Sequence, residues 1–106
     1  MDVYEALADP TRRDIVAMLA AGERSAGDIA ERFPIAGPSV SRHLKVLRES
    51  GLVSFRQQAT SRFYRLEPAP LEEVRKWMEA QLDVVKARFD RLAAHLDAMK
   101  EREEGQ

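Results

Sequence analysis

Apolar residues recur at helical spacing through the first half of the chain, and this pattern predicts a run of short helices. Residues 3–8 form a first apolar segment. Asp9-Pro10 then supplies an N-cap and a proline at the first position of a second helix. Gly22 is placed to end that helix. The inward-facing residues of this second helix are expected to be Ile15, Met18 and Leu19.

Two further helices follow, each with a recognisable start and stop. The phrase Ser25-Ala26-Gly27-Asp28 fits a capping box and predicts a third helix that ends at Pro34. We expect this helix to turn Ile29, Ala30 and Phe33 inward. Pro38 can open a fourth helix, and Gly51 is placed to close it. The core stripe predicted for the fourth helix is Val40, Leu44 and Leu47.

After Gly51 the period of the pattern changes from that of a helix to that of a strand. Residues 52–56 alternate apolar and polar positions, and residues 62–66 do so more loosely. The segment between them, 57–61, is short and polar, so the pattern predicts a β-hairpin with a solvent-exposed tip. Phe63 and Tyr64 are assigned to packing within the hairpin. Two prolines, Pro68 and Pro70, are then expected to break the chain.

The last third of the chain carries a heptad repeat of apolar residues, interrupted by Arg75 at its first a position. Roughly 30 residues of helix extend about 45 Å at 1.5 Å per residue, which is longer than the preceding small domain could cover. Packing of this helix on its own domain is the alternative, but a partner helix fits better, by default in a symmetric homodimer. The residues expected at that interface are Leu71, Val74, Trp77, Met78, Leu82, Val85, Phe89, Leu92, Leu96 and Met99.

The net charge of −1 conceals an uneven distribution of charge along the chain. Residues 34–66 carry six basic residues against Glu49 alone, a net charge of +5. Residues 1–33 carry four basic and seven acidic groups, and residues 67–106 carry seven basic and ten acidic groups, so each flank has a net charge of −3. A basic island between acidic arms is typical of a polyanion-binding element. Chance clustering on a solvated face is the alternative.

Composition narrows the class of protein. A length of 106 residues suits a single domain, residues 1–106, of a mainly α fold with a small β-hairpin. The absence of cysteine excludes disulfides and thiolate chemistry. The sequence offers no phosphate loop, zinc-hydrolase spacing or nucleophile elbow, so we expect neither an enzyme nor a cofactor. The start lacks signal-peptide features and the longest apolar run is short, which predicts a cytoplasmic protein that does not span a membrane.

Two phrases of the sequence carry a resemblance to a known family. The first runs from Leu7 to Arg13, and the second runs from Pro38 to Leu47 and is followed by Gly51-Leu52-Val53. Together they resemble the ArsR-type (ArsR/SmtB-like) winged helix-turn-helix repressors of bacteria, in which the second phrase looks like the recognition helix running into the wing. The first phrase is similar to that of members without known metal sites.

The resemblance covers nearly the whole chain and implies both a fold and a function. It implies a helix-turn-helix at 25–51, a wing hairpin at 52–67 and a dimerisation helix at 71–103. It also implies a homodimer that binds a palindromic operator in double-stranded DNA and represses transcription. The Cys-x-Cys phrase of the metal-sensing members, which would fall near residues 27–31, is absent.

The side chains opposite the core stripe of the fourth helix fit contact with DNA. Arginine can donate two hydrogen bonds to guanine in the major groove, whereas serine and lysine mostly contact phosphates. Solubilising residues on an ordinary surface are the alternative. The candidates on the helix are Ser39, Ser41, Arg42, His43 and Lys45, and those on the wing are Arg56, Thr60, Ser61 and Arg62.

Neither histidine lies in a metal-binding pattern. His43 sits beside the core stripe, so we expect a half-buried, hydrogen-bonded side chain first and a phosphate contact second. His95 has no histidine or carboxylate three or four residues away. Two other functions stay open: a winged-helix module that docks an acidic protein, and a repressor with a small-molecule site near Trp77, whose effector is unknown.

Overall fold

Helices dominate the fold, as the sequence predicts. A computed structural model describes residues 2–35 and 37–105. Residues up to Val74 form one compact unit, and residues from Arg75 onward form a second. The elements of the described residues, in chain order, are α1 (Val3–Ala6), α2 (Pro10–Ala20), β1 (Arg24–Ser25), α3 (Ala26–Arg32), α4 (Gly37–Glu49), β2 (Val53–Gln58), β3 (Ser61–Leu66) and α5 (Pro68–Glu104).

Side chains of the Leu7–Arg13 phrase close the junction between α1 and α2. The carboxylate of Asp9 accepts a hydrogen bond from the amide of Arg12 at 3.0 Å, which confirms the predicted N-cap. The guanidinium of Arg12 donates to two carbonyls at the end of α1, at 2.7 and 3.0 Å. Arg13 donates to a third at 2.8 Å. Because the last carbonyls of a helix have no partner within it, these arginines hold α1 against α2.

The third helix confirms half of the predicted capping box and corrects the predicted inner face. The hydroxyl of Ser25 accepts from the amide of Asp28 at 3.1 Å. Ile29 is buried and Phe33 is half-buried against the core. Ala30, which the pattern placed inward, is exposed. The reason is that this short helix buries only a narrow stripe, which runs from Ala26 through Ile29 to Phe33.

A tight turn carries the chain from α4 into β2. Gly51 has a φ of +80°, in the left-handed region where glycine is favoured. Its amide donates to the carbonyl of Arg48 at 3.0 Å, and the amide of Leu52 donates to that of Leu47 at 3.1 Å. This is the Schellman arrangement that satisfies the free carbonyls at a helix end. The predicted stop at Gly51 is confirmed.

The hairpin is confirmed, with a shorter tip than the pattern indicated. Strands β2 and β3 pair antiparallel from Val53–Leu66 to Gln58–Ser61, so only Ala59-Thr60 connects them. The strands therefore extend into the segment predicted as loop, since polar residues form ladder hydrogen bonds as well as apolar ones. The sequence did not predict β1, which pairs with β3 and gives the sheet order β1-β3-β2. A strand of two residues is too short to show an alternating pattern.

One apolar core lies between the helices and the sheet of the first unit. The first turns of α5 contribute the half-buried Leu71 and Val74. The buried members come from α1 to α4 and from the start and end of the hairpin; they are Val3, Ala6, Ile15, Val16, Leu19, Ile29, Val40, Leu44, Leu47, Leu52, Val53 and Tyr64.

The last helix begins at Pro68 rather than after Pro70. Both prolines lie in its first turn, where the amides have no helical partner, so they start the helix instead of breaking the chain. From Arg75 to Gly105 every described residue is exposed. The exposed apolar residues there are Trp77, Met78, Leu82, Val84, Val85, Phe89, Leu92, Leu96 and Met99. Along the described part of the chain, no helix has both the length and the apolarity that crossing a membrane requires.

We expect Asp9→Ala to lower the free energy of unfolding by about 1 kcal/mol, because the amide of Arg12 loses its cap. Asp9→Asn retains an acceptor but lacks the negative charge, so at pH 7 it should lose less stability than Asp9→Ala. The hydrogen bond from the Arg12 amide, and then the positive charges of a protonated His43 and of the Arg12 guanidinium, hold the pKa of Asp9 below its ordinary value of 3.8. A carboxylate with a lowered pKa stabilises the fold above that value and loses its contribution as the pH falls through the lowered pKa.

Urea unfolding at pH 7 and at pH 3, at one protein concentration, measures both effects. The advantage of the unmodified chain over Asp9→Asn should shrink at pH 3. Equal unfolding midpoints for the unmodified chain and Asp9→Ala at pH 7 would contradict the assignment of this cap.

Candidate nucleic-acid interface

Helix α4 divides sharply into a buried and an exposed face. The predicted stripe of Val40, Leu44 and Leu47 is buried, with no more than 3% of any of these residues exposed. The candidates Ser41, Arg42 and Lys45 are exposed, and Ser39 and His43 are half-buried at the edge. The division predicted for this helix is confirmed, so its polar candidates share one outer surface.

His43 is held from two sides by residues of the α1–α2 junction. Its Nδ1 atom lies 3.4 Å from Nη1 of Arg12 and 3.9 Å from Oδ2 of Asp9. Arginine only donates hydrogen bonds, so Nδ1 of a neutral His43 is the acceptor and the proton resides on Nε2. The expectation of a half-buried, hydrogen-bonded histidine is confirmed.

The ring of Phe55 organises one face of the hairpin. It lies 5.5 Å from the ring of the buried Tyr64, at a tilt of 43°. The guanidinium groups of Arg62 and Arg48 lie 4.5 and 5.1 Å from the centre of the same ring. These are cation–π distances, so the ring favours defined positions for both cations. The assignment of Tyr64 to hairpin packing is confirmed, and Phe63, on the other face, stacks on Arg56 at 4.8 Å.

Two of the basic residues in the 34–66 island are neutralised by carboxylates. Nη2 and Nε of Arg56 lie 2.6 and 2.8 Å from Oε1 of Glu23. Nε of Arg65 lies 3.0 Å from Oε1 of Glu67, which also accepts from Ser54 at 2.6 Å. The hydrogen bond from the Ser54 hydroxyl is the main cause that holds the pKa of Glu67 below its ordinary value. The hydrogen bond from Arg65 acts in the same direction.

The structure gathers six of the nine candidate residues into two places. A groove of about 250 Å³ is lined by three of them, Ser39, Arg42 and His43, by Val46 of the same helix and by Arg12, a residue of α2 that the sequence did not indicate. A cleft of about 430 Å³ lies between the start of α3 and the hairpin tip, lined by Ser25, Ala26, Gly27, Gln57, Thr60, Ser61 and Arg62. Ser41, Lys45 and Arg56 line neither of these two. The only sequence signal for Arg12 is its membership of the Leu7–Arg13 phrase.

Comparison with known proteins shows which family of proteins shares this sequence and fold. A family model described as a helix-turn-helix domain matches residues 7–54. The transcriptional repressor SdpR of Bacillus subtilis (strain 168) is 39% identical over 77 residues, which are 73% of this chain and 86% of SdpR. The HTH-type transcriptional regulator Rv2034 of Mycobacterium tuberculosis is 46% identical over 72 residues, 68% of this chain and 67% of that protein. The crystal structure of an ArsR family transcriptional regulator matches with a TM-score of 0.73 and 31% identity, over 78% of this chain and 86% of that one.

The chain belongs to the ArsR family. It is a DNA-binding transcriptional regulator with a winged helix-turn-helix fold, as the sequence resemblance implied. Its relatives are regulators and repressors of transcription rather than enzymes. In the terms of this fold, α4 is the recognition helix and the hairpin β2–β3 is the wing.

Within this ArsR-family fold, the ion pairs decide where positive charge stays available. Arg56 and Arg65 are matched by carboxylates. Over residues 2–35 and 37–105, no carboxylate pairs with the island's four other basic residues, which are Arg42, Lys45, Arg48 and Arg62. The unmatched cations of the island therefore lie on the recognition helix and at the tip of the wing. A DNA contact by Arg56 stays a prediction.

Metal-ligating groups do not cluster in the part of the chain that the structure describes. Among the residues that the structure describes, no three His, Asp or Glu side chains are placed to hold an ion. The chain has no cysteine, so thiolate ligands are excluded along its full sequence.

We therefore expect DNA affinity to be independent of metal and of thiol reagents. Fluorescence anisotropy with labelled DNA should give the same dissociation constant, within error, with stoichiometric zinc or nickel, with chelator and with reductant. A tenfold loss of affinity on adding zinc, abolished by His95→Ala, would overturn this expectation.

Proposed function

We propose that this ArsR-family regulator is a homodimeric repressor that reads a palindromic operator, with α4 in the major groove and the wing on the adjacent backbone. The observation that carries the proposal is the concentration of unmatched positive charge on the outer face of α4 and at the wing tip. Such a surface attracts a phosphate backbone, while acidic segments elsewhere repel it. Because its target is DNA, we place the protein in the cytoplasm.

On the recognition helix, Arg42 is the residue we assign to base reading. It is exposed in the middle of the outer face, and its planar guanidinium matches the O6 and N7 atoms of guanine. Ser41 and Lys45 share that exposed surface and suit contacts with phosphate, which fix the register of the protein without reading sequence. Ser39 and His43 lie at its edge and suit the same role.

On the wing, Arg62 is the residue we assign to the DNA backbone. It is exposed beside the two-residue tip, and its contact with the ring of Phe55 limits the positions of its cation. Thr60 and Ser61 lie next to it and can donate hydroxyl hydrogen bonds. Arg56 would have to leave Glu23 to contact DNA, so we assign it a smaller share of binding.

The homodimer is supported by the apolar seam of α5. We define the seam as the heptad residues of the second unit: Met78, Leu82, Val85, Phe89, Leu92, Leu96 and Met99. Every one of them is at least 45% exposed. A continuous apolar patch of this length is unusual on a monomer. A heptad seam on one helix is complementary to the same seam on a second copy, which makes a two-fold dimer the simplest way to bury it.

Arg42→Ala should relax sequence preference, because a bidentate guanine contact discriminates between bases by about 1–3 kcal/mol. Its affinity for operator should fall more than its affinity for scrambled DNA. Arg62→Ala should weaken binding to both DNAs alike and flatten the salt dependence, by roughly one unit of slope for each phosphate that the variant no longer neutralises.

Titration of operator and scrambled DNA at several salt concentrations separates the two roles. The operator is first obtained by selecting bound sequences from random DNA, which also reveals the spacing of half-sites. Loss of operator binding alone in Arg62→Ala, with equal weakening on both DNAs in Arg42→Ala, would reverse the assignment. If neither variant changed binding, the basic surface would point to an acidic protein partner instead.

Replacement of Phe89 and Leu92 by Glu should convert the dimer into a monomer. Carboxylates in a closed apolar seam have no partner, and that cost disfavours association. Ala87→Glu with Ala94→Glu is the matched control, since it adds the same charge to the same helix outside the a and d positions of the heptad. Light scattering after gel filtration measures the mass of each. A stable monomer of the unmodified chain at low micromolar concentration would refute the dimer.

A further inference from the structure

The groove beside the recognition helix is built for an anion. We propose that it is a preformed site for one phosphodiester of the DNA backbone and that Arg12, on α2, is a DNA-contacting residue. This inference rests on the proposed function of the chain as an operator-binding protein. We call this groove the α2–α4 notch; Arg12, Ser39, Arg42, His43 and Val46 line it.

The lining residues come from two elements that the core holds together. Four of them follow one another along a single stripe of α4, at the spacing i, i+3, i+4 and i+7. The fifth, Arg12, comes from the first turn of α2. The notch therefore runs alongside Arg42, the residue assigned to base reading, and keeps its shape as long as α2 and α4 stay packed.

Arg12 is fixed in place before any ligand arrives. Its Nε and Nη2 donate to the carbonyls of Ala6 and Glu5, at 2.7 and 3.0 Å, and its Nη1 lies 3.4 Å from Nδ1 of His43. A guanidinium has five N–H donors, so these contacts leave two that are not committed. A cation that is already ordered loses little conformational entropy when an anion binds.

The polar groups that line the notch can all donate hydrogen bonds. Arg12 and Arg42 are permanent cations, and Ser39 carries a hydroxyl. A neutral His43 accepts from Arg12 at Nδ1, which leaves its proton on Nε2 for donation. Asp9, 3.9 Å from His43, is occupied by the amide of Arg12 and is not a lining residue. Donors and positive charge without a lining carboxylate favour a phosphate over a cation or a neutral ligand.

The position of the notch identifies the anion as part of the DNA. A helix in the major groove has a phosphate strand along each side, so a cation beside it meets the backbone. Arginine pairs with phosphate through two parallel hydrogen bonds, a geometry that a fixed guanidinium suits. The DNA phosphate would thus bind between base-reading Arg42 and structural Arg12, and fix how deeply α4 enters the groove.

The chain offers a matched pair of variants for the test. Arg12→Gln and Arg13→Gln each remove one positive charge, and each removes hydrogen bonds to carbonyls at the end of α1. Of these two arginines, Arg12 lines the notch and Arg13 does not. We expect Arg12→Gln to reduce the salt slope of operator binding by roughly one unit per protomer, and Arg13→Gln to leave that slope unchanged. Equal slopes in the two variants would overturn the proposal, because support of α1 alone would affect both.

A second variant covers the possibility that Arg12→Gln folds poorly. Ser39→Asp places a carboxylate in the notch without touching α1, at a first-turn position of α4 where aspartate is well tolerated. We expect it to weaken binding to operator and scrambled DNA by the same factor, tenfold or more. Unchanged binding, with thermal unfolding like that of the unmodified chain, would count against the notch.

Chemical change of the DNA locates the contact. Single phosphates of the operator are replaced by uncharged methylphosphonates, one position at a time. At one position per half-site, the replacement should weaken binding of the unmodified chain and of Arg13→Gln by the same factor, but weaken binding of Arg12→Gln by a clearly smaller factor, because only the other donors of the notch are then lost. Additive effects at every position would overturn the proposal. If the unmodified chain showed no preference for operator, the proposed function itself would fail, and the notch with it.

Discussion

The burial of Val40, Leu44 and Leu47 fixes how α4 is rotated about its own axis, and the rest of the interface depends on that rotation. A turn by one residue, about 100°, would carry Arg42 or Lys45 toward the core and expose a leucine. The Schellman turn at Gly51 then transmits the rotation to the hairpin, because the amide of Leu52 bonds to the carbonyl of Leu47. The contact of Arg48 with the ring of Phe55 joins α4 to the wing a second time. Recognition helix and wing are therefore joined at two points, and apolar packing sets how α4 is turned toward the wing.

Internal ion pairs determine how much of the basic island remains available to a polyanion. Arg56 and Arg62 occupy one hairpin, both close to its tip, yet they differ in their surroundings. Arg56 lies on the face that meets Glu23, whereas Arg62 shares the opposite face with the ring of Phe55. An exposed pair such as Arg56–Glu23 contributes only about 0–1 kcal/mol to stability. Its larger effect is on the electrostatic field, since it removes one cation from one side of the wing and leaves the tip as the positive end.

Features encoded by local patterns could be predicted from the sequence, and features made by distant residues could not. The caps at Asp9 and Ser25, the stop at Gly51, the stripe of α4 and the change to strand period each depend on residues a few positions apart. Strand β1 exists only because β3 pairs with it, and the face of Ala30 depends on how a short helix packs. The contact between Arg12 and His43 joins residues 31 positions apart, and that between Arg56 and Glu23 joins residues 33 apart. No repeating pattern in the sequence predicts either contact. The sequence therefore indicated a DNA-binding role for Arg56, which the ion pair with Glu23 weakens, and indicated no such role for Arg12.

The two units differ in whether their apolar residues are buried or exposed, and in the homodimer that we propose this difference links dimerisation to DNA binding. The first unit buries or half-buries most of its large apolar residues and leaves cations outside, whereas the heptad side chains of the second unit are exposed. In the homodimer that we propose, closing the seam also brings two recognition surfaces onto one DNA molecule. The second surface then binds at the high effective concentration set by the first, so affinity for a palindrome far exceeds that for a single half-site. By the same linkage, DNA that binds only the dimer stabilises the dimer. In that proposed dimer, the apolar residues of the second unit would control how tightly the cations of the first unit hold DNA.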